Sequence, residues 1–152
     1  MLSITLILHS LLRWVVLLTG IAAAARGFMG GKGKSWTPAD SRAGLLFITV
    51  LDLQFLLGLL LYVFLSPTVR TAFLNFGAAM RDPMLRFFAV EHVIGMFLAI
   101  ILAHIGRART KKATPDDRKF RAAAVFYTLA LLVILLSIPW PGMPAGRPLW
   151  PW

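Results

Sequence analysis

Four stretches of this chain are long and apolar enough to cross a lipid bilayer, and nothing else constrains its fold as strongly. They cover residues 2–25, 44–65, 84–105 and 122–138, against the ~17–25 residues needed to span the hydrocarbon as a helix. Hydrocarbon offers no hydrogen-bonding partner, so each crossing segment must satisfy its own backbone, as a helix does. The expected fold is therefore all-α: a four-helix transmembrane bundle, one integral membrane domain over residues 1–152. Charged residues make up 14% of the chain and mean hydropathy is +0.78, which leaves little material for a soluble domain.

The formal net charge of +10 has a location that decides its meaning. Basic residues crowd loops 26–42 (Arg26, Lys32, Lys34, Arg42) and 107–121 (Arg107, Arg109, Lys111, Lys112, Arg118, Lys119, Arg121). They flank apolar runs and form no polar face, so nucleic acid is excluded as a partner and the lipid bilayer takes its place. By the positive-inside rule both loops are cytoplasmic and both termini face outward. The first run has no basic stretch ahead of it and too long an apolar segment for a signal peptide, so it reads as a retained span.

Between the second and third runs, Ser66-Pro67 opens a stretch with apolar residues at Val69, Phe73, Phe76 and Met80. Ser66 as N-cap and Pro67 as first helical residue predict a short interfacial helix on the outer surface. Asp82-Pro83 then starts the third span. The Pro- and Trp-rich tail 139–152 reads as an irregular aromatic anchor at the outer interface.

Ionisable groups inside a span are costly, so each is a functional candidate. His9 and His92 fall at nearly one depth, roughly 10–12 Å from the same membrane face at about 1.5 Å rise per residue. Two level imidazoles can ligate one haem iron, or another metal, from opposite sides. There are no cysteines, which removes thiolate sites, iron–sulfur clusters and covalent haem attachment. Gly95, Ala99 and Ala103 form a small-residue stripe on the His92 face, as Val16, Gly20 and Ala23 do inward of His9. Each stripe reads either as close helix packing or as room for a flat macrocycle, Gly95 being the residue beside the ligand. Arg13 and Asp52 share a depth and suit a buried ion pair; Arg13 could also support a cofactor carboxylate. Arg81 and Arg86, nearer the outer face, suit haem propionates better. Glu91 is placed to pair with Arg86 or Arg13, to orient a histidine or to move protons. His104 is far in depth from the other two and reads as an interfacial hydrogen-bonding group.

The segments His9-Ser10-Leu11-Leu12-Arg13-Trp14, Leu53-Gln54-Phe55-Leu56-Leu57-Gly58, Leu85-Arg86-Phe87-Phe88-Ala89-Val90-Glu91-His92 and Ser137-Ile138-Pro139-Trp140-Pro141 resemble a family of small four-helix bacterial membrane proteins described as cytochrome b-like. The resemblance covers nearly the whole chain and carries the family pattern onto His9, Arg13, Gln54, Glu91 and His92. Some relatives have His where this chain has Asp52. It implies a multi-pass protein of the bacterial inner membrane that binds haem b, metal ligands His9 and His92, and transfers electrons alone or as a subunit of a redox complex. Other subunits, a second copy and quinone are the implied partners. A cofactor-free accessory or assembly subunit is the competing expectation, and a quinone- or proton-linked enzyme using Glu91 and His92 a third.

Overall fold

The computed structural model describes residues 1–31 and 33–150. Lys32 of the first basic loop, and Pro151 and Trp152 of the tail, lie outside the described residues. Helices account for most of the chain, and among the described residues there is no strand. α1 is Leu2–Phe28 and α2 is Pro38–Leu60, which continues as a π-helical turn over Leu61–Leu65. α3 (Pro67–Leu74) and α4 (Phe76–Ala79) form the connection that follows. α5 (Pro83–Arg86) passes through a second π-helical turn, Phe87–Glu91, into α6 (His92–Lys112), and α7 is Asp116–Ser137. Four continuous helical segments are thus long and apolar enough to cross a membrane: Leu2–Phe28, Pro38–Leu65, Pro83–Lys112 and Asp116–Ser137.

The helices outrun the apolar runs at the basic end. α2 starts at Pro38 because Thr37 and Asp40 form a reciprocal capping box, with the Asp40 backbone N–H donating to the Thr37 hydroxyl at 3.4 Å and the Thr37 N–H to the Asp40 carboxylate at 2.8 Å. The same buried carboxylate accepts from Arg26 of α1 at 2.9 Å. α6 runs on to Lys112, so Arg107, Arg109 and Lys111 ride on helix and not on loop. Cationic side chains suit a helix C-terminus and can extend out of the hydrocarbon, so the charge that ends an apolar run need not end the helix.

At the other end, Ser66 caps α3 through Val69 N–H at 3.3 Å with Pro67 in the first turn, as its sequence predicts. The single short helix expected there is broken at Asn75, whose side chain caps α4. Ala72, Ala79 and Ala89 seat this connection on the third long helical segment.

α7 is the hub of the core. Ala123, Tyr127, Ala130 and Ile134 are buried against α1 and α6, which offer Ala23, Ala99 and Ala103 in return. Small residues at these contacts let backbones approach closely. At Gly27 a Cβ would come 2.7 Å from Ala124 Cα, a contact no side chain can make. The stripe Gly95–Ala99–Ala103 is therefore used for packing on α7: Ala99 and Ala103 are fully buried, and a Cβ at Gly95 would overlap the Ser137 hydroxyl. It leaves no room for a macrocycle beside Gly95, correcting that expectation.

The tail is irregular, with residues 141–144 and 146–150 exposed, and it is pinned to the bundle at a few points. Ile138, Pro139 and Ala145 are buried, and a turn at Gly142, whose φ of +89° favours glycine, brings Arg147 N–H to Pro139 O at 3.0 Å. Trp150 then stacks on Trp14 of α1 at 5.7 Å.

Candidate functional site

His9 and His92 do meet. Their ring centroids are 6.3 Å apart with planes at 71°, and both border a cavity of about 260 Å³ in the half of the bundle that holds the chain termini. A smaller void of about 40 Å³ also touches both rings.

Each ring is set by local chemistry that the sequence dictates. His92 follows directly on the π-helical turn Phe87–Glu91, a wide turn of the kind often found at functional sites. Its Nδ1 lies 2.7 Å from Ser137 O. That carbonyl is available for a covalent reason: in a continuing helix its donor would be residue 141, and Pro141 has no N–H. Pro139 likewise strips the donor from Leu135 O, which the Trp140 indole supplies at 2.8 Å. The two prolines create two orphan carbonyls, and an indole and an imidazole answer them. Since a carbonyl only accepts, Nδ1 of His92 carries the proton and Nε2 of the neutral ring keeps its lone pair. This is the arrangement by which proteins orient a metal-ligating histidine.

His9 is held differently. Gln54 of α2 donates from Nε2 to His9 O at 2.9 Å, fixing that turn of α1. Gly58, one turn along α2, admits the ring: a Cβ there would lie 3.2 Å from His9 Cε1. His9 Nδ1 and Gln54 Oε1 are both buried without a hydrogen-bond partner, so the site retains polar capacity that the protein itself does not use. Tyr62 donates to Ala89 O at 2.8 Å, tying the two π-helical turns together beside the cavity.

Two guanidinium groups reach the cavity wall. Arg13 donates to Leu149 O at 2.7 Å while its Nε stays buried and unpartnered. Arg147 of the tail lies over the Phe88 ring at 4.8 Å and also lines the cavity. Arg147 escaped the sequence reading because nothing in a loop-like tail reports where it folds. Arg86, by contrast, is not at the cavity. It pairs with Glu91 at 2.6 Å and donates to Met80 O at 3.2 Å, both charged side chains being about half exposed. That pair matches one of the roles expected for Glu91, and it takes Arg86 away from any cofactor. Gly95 faces Ser137, as described, and not the cavity.

The Arg13–Asp52 ion pair does not form. Asp52 instead meets His104 Nε2 at 3.0 Å, on the side of α2 turned away from α1. Residues two apart on a helix point about 200° apart, so with Gln54 facing α1 its neighbour Asp52 must face elsewhere.

Among the described residues there is no group of three or more His, Cys, Asp or Glu side chains that could hold a metal ion. A bare ion bound by protein alone ordinarily needs such a group. Two imidazoles suffice when the metal brings its own in-plane donors, as haem iron does. The 6.3 Å between the ring centroids leaves space for one metal between the two imidazoles. The donor set, the fixed His92 proton and the two arginines thus fit a bis-histidine haem. No family model matches the chain, and no curated protein or solved structure matches it.

Proposed function

We propose that this protein holds one b-type haem between His9 and His92 and serves as a membrane-embedded electron-transfer protein or redox-complex subunit. The observation that carries the reading is the pair of imidazoles 6.3 Å apart at a shared cavity, one of them with its Nδ1 turned to a backbone carbonyl. Bound haem would supply one-electron redox chemistry, and His9 and His92 would hold its iron. The chain's own residues bind and tune. Ser137 O orients His92 and raises its basicity as a ligand. Arg13 and Arg147 would take the propionates through charge-assisted hydrogen bonds. Phe88, Met96 and Ile134 line the cavity with apolar surface that limits water.

The resemblance to cytochrome b-like bacterial proteins and the clustering of basic residues at one end support placement in a bacterial inner membrane with both termini outward. Partners consistent with this role are other subunits of a redox complex, a second copy and a membrane quinone. A cofactor-free accessory subunit is the second reading, favoured by the exposed apolar residues Phe73, Leu74 and Phe76 on the outer connection, which suit docking to a larger complex. The reduced-minus-oxidised visible spectrum of protein purified from haem-replete cells separates the two. A Soret and α-band lost in both His9→Ala and His92→Ala supports haem; a colourless, folded protein supports the accessory role.

A further inference from the structure

Among the described residues that line the cavity beside His9 and His92, Pro67 and Arg147 are the exposed ones. Each has the cavity on one side and the surroundings on the other, so the wall at both is one residue thick. Pro67 belongs to the first turn of α3, which is fixed by the Ser66 cap and by the Arg70 N–H bond to Ser66 O at 3.1 Å. Arg147 belongs to the irregular tail, where residues 146–150 are all exposed. Exposed backbone with few buried contacts is the part of a protein that opens at least cost. Of the two thin places, the tail is the one built to move.

The tail crosses the cavity wall within three residues. The Arg147 guanidinium lies over the ring of Phe88, in the π-helical turn before His92, at 4.8 Å. Leu149 O accepts from Arg13 of α1 at 2.7 Å, and Trp150 stacks on the adjacent Trp14. Phe88 and Arg13 both line the cavity, so residues 147–149 pass from one of its walls to another. The near end of the crossing is anchored. Gly146 N–H donates to Met143 O at 2.8 Å, Arg147 N–H to Pro139 O at 3.0 Å and the Trp140 indole to Leu135 O at 2.8 Å. A Cβ at Gly146 would come 2.6 Å from Trp140 O, which keeps that turn tight. The far end is held by side chains of α1, which can release it without parting any two helices.

We infer that residues 146–150 are a strap that gates the cavity. The strap swings about the turn at 142–146, away from Arg13 and Trp14, to admit the occupant, and returns to close over it. Irregular backbone is not tolerated against hydrocarbon, so the strap faces the interface or water and the occupant enters from that side. The gate concerns access, and it does not depend on the occupant being haem.

A chain without cysteine makes the test direct. Ser10→Cys puts one thiol on the cavity wall, and Leu74→Cys puts one on the exposed surface of α3. Rates of labelling by a small water-soluble maleimide are measured for each full-length protein in lipid nanodiscs. They are measured again with the chain ended at Ala145, or with Trp150→Ala. Ending the chain should speed labelling of Ser10→Cys at least tenfold and Trp150→Ala at least threefold, with Leu74→Cys unchanged within twofold. The single substitution decides the matter if the shortened chain does not fold. A Ser10→Cys rate that rises less than threefold in Trp150→Ala, or only in step with Leu74→Cys, would overturn the gate. So would labelling of Ser10→Cys in the full chain as fast as that of Leu74→Cys, since the cavity would then stand open without any movement of the tail.

Discussion

Gly95→Ala is the substitution for which the structure yields the sharpest expectation. The added methyl would collide with the Ser137 hydroxyl and would lie 3.1 Å from Ser137 Cβ. Either the Ser137 hydroxyl gives up its bond to Val133 O, or helices α6 and α7 part where His92 meets Ser137 O at 2.7 Å. Overpacking of this kind costs about 1–3 kcal/mol, and weakening a buried hydrogen bond adds about 1 kcal/mol. A total of about 2–4 kcal/mol corresponds to a fall in melting temperature of roughly 4–16 °C for a chain of this size. Ser137→Ala removes the colliding oxygen at the expense of its 2.8 Å bond to Val133 O, about 1 kcal/mol. In the double variant the two changes should not add: melting in detergent should recover by about 1–2 kcal/mol relative to the sum of the single variants. Melting curves of the four proteins complete the cycle. Strict additivity, or a Gly95→Ala protein as stable as the parent, would refute the claim that Gly95 exists for contact with Ser137.

Two further outcomes follow from the site. Arg147→Ala and Arg13→Ala each remove a positive charge from the cavity wall, which should lower the midpoint potential of a bound haem by tens of millivolts. About 59 mV corresponds to a factor of ten for a one-electron couple, and potentiometric titration reads the shift; an unchanged potential in both variants would remove the arginines from the cofactor site. Tyr62→Phe deletes the 2.8 Å bond to Ala89 O that ties the two π-helical turns, and should cost about 1 kcal/mol, seen as a drop of a few degrees in melting temperature without change in helix content.

The bundle was legible in the sequence because bilayer thickness imposes a length that four apolar runs meet. The connection between the second and third long segments was legible too, since Ser66-Pro67 and Asp82-Pro83 are local signals that act within one turn. Depth along a helix follows from residue count, and it placed His9 beside His92. Azimuth does not follow from depth, and there the reading of Arg13 with Asp52 failed, although Gln54 two residues on held the information that Asp52 faces away from α1. Depth alone suggests Arg86 for a cofactor, but its neighbour Glu91 is near enough to claim it. Arg147 could not be found this way, because a proline-rich tail has no period to announce its path. Yet Pro139 and Pro141 did carry a readable message. Each removes the donor that a helical carbonyl four residues earlier would need, and so marks Leu135 and Ser137 as acceptors awaiting a side chain.

The central claim is that His9 and His92 share one haem iron, and electron paramagnetic resonance of the oxidised, purified protein tests it most directly. A low-spin ferric signal of the bis-imidazole type is expected at one haem per chain, converted to a high-spin or haem-free form by either His9→Ala or His92→Ala while helix content is retained. A well-folded protein without haem, or a low-spin signal that survives loss of either histidine, would contradict it.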